Sequence, residues 1–151
     1  MRYFVSTFLT IAGLLVAAHV QAVQAEIEQD VVEVVILNGP NAGTYKTPSN
    51  ETICMHHKEM KFHAVTWRDL DNHPKKLSIA NIQVANSDRP GPKHGQVQIV
   101  FGDAKTPAEY TIKEAPITMT LKGKGGVLSF EGAVKGISIK VTGTCSEFDD
   151  V

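Results

Sequence analysis

The chain has 151 residues, with 15 lysines and arginines against 16 aspartates and glutamates, and a formal net charge of −1. Protein affinity for nucleic acid rests on many basic contacts to phosphate, so this near-neutral balance offers no electrostatic basis for such a partner. The length suits one domain with a real core and not two.

The chain opens with Met1-Arg2-Tyr3 and an apolar run from Phe4 to Ala18, then the small-residue sites Val20-Gln21-Ala22 and Val23-Gln24-Ala25, then acidic residues from Glu26 to Asp30. That order is a secretory signal peptide, with cleavage expected after Ala22 or Ala25. The apolar run falls short of the roughly 20 residues that cross a bilayer, so no membrane span is expected once it is removed. Residues 26–151 then form the domain, with only Arg2 lost among the charged side chains, which leaves 14 basic against 16 acidic residues. The expected location is periplasmic or extracellular.

After residue 30 the apolar runs are short, β-branched and bounded by Gly, Pro, Asn or Asp, which is the signature of strands. Val31 to Leu37 is apolar on both parities except at Glu33, which predicts a strand covered on both sides. The cluster Asn38-Gly39-Pro40-Asn41-Ala42-Gly43 predicts a reversal into Thr44-Tyr45-Lys46-Thr47. Met55 to Trp67 mixes apolar and basic residues and reads either as one long bulged strand or as a stretch containing a helical turn. Leu77 to Val84, Gln96 to Phe101, Ile117 to Lys122, Val127 to Val134 and Ile137 to Thr142 supply five more strands. Val97, Ile99 and Phe101 share one face, as do Ile117, Met119 and Leu121. Gly123-Lys124-Gly125-Gly126 and Lys135-Gly136 mark two hairpins.

Strands at this spacing predict an all-β fold, an antiparallel, immunoglobulin-like β-sandwich of about eight strands. The two cysteines, Cys54 and Cys145, allow one pairing, and an exported chain is where a disulfide persists. Cys145 shares the parity of Ile137, Ile139 and Val141 and is therefore expected to point into the core. Trp67, Tyr45 and Tyr110 read as core or sandwich-edge residues.

Val34-Val35-Ile36-Leu37-Asn38-Gly39-Pro40-Asn41-Ala42-Gly43-Thr44-Tyr45, a strand and glycine turn leading to Cys54, and the closing Ile139-Lys140-Val141-Thr142-Gly143-Thr144-Cys145 resemble a family of small exported bacterial β-sandwich proteins. That family includes the mycobacterial 19-kDa lipoprotein antigen. The resemblance implies fold and export, covers the two ends of the domain, and carries no catalytic residue across. The lipid-attachment cysteine of the lipoprotein members is absent here.

One segment concentrates side chains that bind metals, Cys54-Met55-His56-His57-Lys58-Glu59-Met60-Lys61-Phe62-His63. Thioether and imidazole suit copper, which makes His56, His57, Met60 and His63 candidate ligands of copper or another soft metal. Lys58 and Lys61 place positive charge in the same stretch and oppose that reading. Asp69-Leu70-Asp71-Asn72 resembles the start of a calcium loop, but Pro74 stands where the loop needs Gly and Ala80 where it needs Glu. No serine elbow, zinc-binding histidine pair with an intervening Glu, or paired strand carboxylates is present, so no catalytic residue is assigned. The sequence therefore points to an exported, non-catalytic binding or envelope-surface protein for a small ligand or a protein partner. Copper binding through the His/Met segment and a purely structural or host-contact role are its alternatives.

Overall fold

The computed structural model describes residues 29–69, 76–102 and 107–151; the expected signal peptide and the rejected calcium-like stretch from residue 70 lie outside them. Ten strands occur: β1 (Val31–Ile36), β2 (Gly43–Lys46), β3 (Ile53–His57), β4 (Phe62–Arg68), β5 (Leu77–Ala85), β6 (Lys93–Phe101), β7 (Ala108–Lys122), β8 (Gly125–Val134), β9 (Ile137–Cys145) and β10 (Asp149–Asp150). One turn of 3-10 helix, Ser49–Glu51, is the only helical element among the described residues.

The strands hydrogen-bond in the order β10-β3-β4-β5-β6-β7-β8-β9-β1-β2. All neighbours are antiparallel except β10, which runs parallel to β3. This is one curled sheet whose halves pack face to face, β4 and β5 against β1, β8 and β9. From β3 to β9 it is an uninterrupted meander, whereas immunoglobulin sandwiches use Greek-key connections, so the likeness to them ends at two packed layers.

The fold turns over at β7, which pairs with β6 through Ala108–Ile117 and with β8 through Thr118–Lys122. Pro116 lies at that exchange of partners, and a register shift between Gly95 and Val97 bends the facing strand. Bulges and prolines are where strands leave one layer for another, because both interrupt the ladder. β8 returns through Gly123-Lys124, with Gly123 at φ 60°, and β9 through Lys135-Gly136, both with positive φ (51° and 78°). Left-handed conformations of this kind match hairpin turns to the twist of the strands.

The predicted faces hold over most of the chain. Val97, Ile99 and Phe101 are buried, and so are Ile139, Val141 and Cys145. Along β7 burial fades from Ile117 through Met119 to Leu121, which is 49% exposed near the hairpin tip. β1 departs from expectation: Val32, Val34 and Ile36 are buried, but Val31, Glu33 and Val35 are only half-covered, because nothing packs fully over the outer face of that layer. The uncertain stretch is neither a long strand nor a helical turn. β3 and β4 form a hairpin across residues 58–61, with Lys61 at φ 54°.

Cys54 on β3 and Cys145 on β9 are joined by a disulfide, with Cα atoms 5.8 Å apart. The bond ties the two layers across 91 residues of chain. Gly143, two residues earlier on β9, lies where the layers come closest. A Cβ there would stand 2.7 Å from Val65 Cβ and 2.8 Å from Ile82 Cγ2.

Candidate functional site

The β3–β4 register sets His56 directly opposite His63. Both follow the parity of Cys54 and Val65, so both side chains sit on the inner face, at the end of the sandwich just past the disulfide. Opposed residues in antiparallel strands have Cβ atoms about 5 Å apart, and the two imidazoles fill that space by stacking. Their centroids are 4.2 Å apart and the rings 14° from parallel. The edge of Phe148 closes on His63 at 4.8 Å.

The C-terminal segment holds this arrangement in place. Asp30 Oδ1 accepts hydrogen bonds from the Ser146 N–H and hydroxyl, and the Phe148 N–H donates to the Lys124 carbonyl. β10 then lies beside β3, where the Val151 N–H donates to the His56 carbonyl at 3.0 Å. Asp150 is thereby placed to bind His56 Nδ1 at 2.9 Å and the Lys58 ammonium at 2.7 Å. Those two hydrogen bonds, Lys58 first, hold the Asp150 carboxyl below its ordinary range.

On the other side, His63 Nδ1 lies 2.8 Å from Ser87 Oγ. The Ser87 hydroxyl lies between two partners, His63 Nδ1 and, at 3.3 Å, the Lys61 carbonyl. Asp150, as a carboxylate, accepts from Nδ1 of His56. In the neutral His56 ring the lone pair is then left on Nε2. No buried side-chain nitrogen or oxygen lacks a partner among the described residues. His63, 7% exposed, lines the adjoining cleft together with His56. Burial pushes the His63 pKa down, and the neighbouring His56 adds to the effect.

That cleft has a volume of about 460 Å³. The stacked histidines and Phe148 form one wall, Leu121 and the Gly123–Gly125 hairpin another, and Asp88, Glu147 and Asp150 supply carboxylates. Glu147 pairs with Lys124 at 2.8 Å and Asp88 with Lys61 at 3.5 Å. A second cleft of about 500 Å³ lies over β5 and β6 around Arg89, Pro90, His94 and Lys113. Its lining side chains are exposed or half-buried, so it holds no desolvated polar group that would orient a ligand.

Of the four candidate ligands, the structure brings His56 and His63 together and leaves the other two apart. His57 is on the opposite face of β3, with its ring 5.4 Å from that of Phe62. Met60 is in the β3–β4 turn, 62% exposed, and its backbone N–H donates to His57 Nδ1. Asp30, Cys54 and Cys145 place their donor atoms within 4.8 Å of one another, but the two sulfurs are joined and are not thiolates. Ser87, Phe148 and Asp150 belong to the site and were not anticipated; they reach it across 24 to 94 residues of chain through loops and a terminal strand.

The Ser87–His63 contact does not have the form of a nucleophile and its base. Ser87 contributes to the lining of the cleft but is 4% exposed, so its hydroxyl is scarcely accessible to a substrate. The site gathers two stacked imidazoles, the ring of Phe148 and carboxylates around an open space. No protein-family model, curated protein or solved structure matches the chain.

Proposed function

We propose that this is an exported, non-catalytic binding protein that takes its ligand at the open end of the sandwich, between the His56–His63 pair, Phe148 and the β7–β8 hairpin. The observation that carries the reading is the stacked pair of imidazoles, His56 and His63, that borders a cleft of about 460 Å³. Binding clefts typically have volumes of some 300 to 1,000 Å³, and this one falls within that range, with Leu121 and Phe148 as its large apolar side chains among mainly polar ones. Export rests on the N-terminal pattern and on a disulfide, which persists in oxidising compartments. The resemblance to small exported bacterial sandwich domains supports the same location.

Native mass spectrometry of the mature protein, purified from its own exported fraction and compared with Leu121→Trp, tests the proposal. Leu121 lines the cleft and is half exposed, so a tryptophan there fills the space without entering the core. A mass retained by the natural protein and absent from Leu121→Trp is expected. Equal retention by both proteins would move the ligand elsewhere and defeat the assignment.

A further inference from the structure

Resting on that reading, we propose that the ligand bound at the cleft is a divalent transition-metal ion, with copper(II) preferred, held by Nε2 of His56 and Nε2 of His63. Opposed histidines on neighbouring antiparallel strands form a ready bidentate unit, because the backbone fixes their Cβ atoms about 5 Å apart. Here the rings are stacked with their planes 14° apart, so the side chains must rotate out of the stack for both lone pairs to meet one ion. His56 has room for it, since its side chain is 25% exposed.

The outer contacts support the same assignment. Metal-binding histidines nearly always donate their other ring N–H to a carboxylate or a neutral oxygen, which sets tautomer and orientation. His56 does this to Asp150, and His63 Nδ1 is hydrogen-bonded to the Ser87 hydroxyl. Asp150 is therefore a positioning residue and not a ligand. The carboxylates of Asp88 and Glu147 on the same cleft are each paired with a lysine, Lys61 and Lys124, so the selection of a cation rests on the imidazoles.

The chemistry of the donors chooses the ion. With Met60 turned away into solvent, no thioether is within the site, and the preference for copper(I) that a His/Met set would carry is lost. Imidazole nitrogen suits divalent copper, nickel and zinc, and copper(II) binds such donors tightest in that series. Water completes the coordination, which leaves positions open on the ion.

The test uses the chelator-treated, disulfide-bonded mature protein, titrated separately with copper(II) and zinc by calorimetry, and electron paramagnetic resonance of the one-to-one copper sample. One ion per chain and two coordinated nitrogens are expected. His56→Ala should weaken binding at least tenfold and Asp150→Asn by about tenfold, the usual cost of losing an outer-shell partner. The double variant His57→Ala with Met60→Ala should bind as the natural protein does. Near-ultraviolet circular dichroism and an intact disulfide mass establish that each variant is folded. Unchanged affinity in folded His56→Ala, or loss of binding in the His57/Met60 double variant, overturns the metal site. A mass that Leu121→Trp removes but that contains no metal overturns it too, while leaving the cleft reading intact. If neither metal nor any other mass depends on the cleft, both fail.

Discussion

The two ends of the sandwich are finished in different ways. At one end Tyr45, Phe101 and Tyr110 interlock edge to face, with centroids 4.8 Å and 6.2 Å apart. Their polar atoms are satisfied there: the Tyr45 hydroxyl donates to the Asn41 carbonyl, and the Tyr110 oxygen accepts from Asn41 Nδ2. At the other end the rings of His56, His63 and Phe148 also stack and meet edge on, yet all three line an open cleft. Similar aromatic packing thus closes the core at one end and borders a cleft at the other. It is toward the open end that the Cys54–Cys145 bond joins the layers.

Removing that bond should have the largest effect. Closing a loop of 91 residues restricts the unfolded chain by an amount worth about 4 to 5 kcal/mol in the chain-entropy model. The Cys54→Ser, Cys145→Ser double variant should lose stability of that order in urea denaturation. Hydrogen exchange should show the loss concentrated in β3 and β10, with β2 and the Tyr45–Phe101–Tyr110 end protected. Uniform exchange across both ends would mean that the bridge does not serve the open end in particular.

Next in size is the seam between the layers. Gly143→Ala places a methyl 2.7 Å from Val65 Cβ, closer than van der Waals contact permits, and two packed strands must part to admit it. Overpacking of this kind costs about 1 to 3 kcal/mol. The midpoint of thermal unfolding should fall accordingly, and an unaltered midpoint would show that the layers are not in contact there.

A smaller effect distinguishes the sealed end. Tyr110→Phe removes the acceptor of Asn41 Nδ2 from a residue that is 7% exposed, and should cost about 1 kcal/mol in denaturant unfolding. It should leave ligand binding at the far end untouched. A change in that binding would couple two ends that the packing separates.

Much of the sealed end and the central strands was legible in the sequence, because alternation in β5, β6, β8 and β9 records which side is buried, and the glycine turns at Gly123 and Gly136 carry positive φ. The β3–β4 hairpin was not. Its turn, Lys58-Glu59-Met60-Lys61, contains no Gly, Pro, Asn or Asp, and Lys61 adopts the left-handed conformation without the usual residue type. The first half of β7 was missed for a different reason: in Ala108–Glu114 only Tyr110 is buried, so its pairing with β6 leaves little periodic trace. The site suffers from both. Its histidines were visible as a composition, but which two meet depends on register, and Ser87, Phe148 and Asp150 come from distant chain positions.

The final prediction concerns the charge state of the open end in metal-free protein. His63 is inside the protein, and burial followed by the nearby His56 lowers its pKa from the ordinary value near 6.5. Between that value and the lower folded one, the unfolded chain binds the proton more readily, so stability falls as pH is lowered through this window and levels off below it. Asp150 has the same sign at lower pH: its lowered pKa contributes stability that disappears as the carboxylate is protonated, below the ordinary aspartate range near 4. Denaturant unfolding at closely spaced pH values, with chelator present, should therefore show two separate steps of loss. His63→Gln should remove the upper step and spare the lower, and Asp150→Asn should do the reverse. In the natural protein, NMR titration should place the His63 midpoint below 6.5, and His56→Ala should raise it, because the substitution removes a like charge and admits water to the ring. A His63 midpoint at or above 6.5 would mean that water already reaches the ring, and that the open end is wetter than its packing indicates.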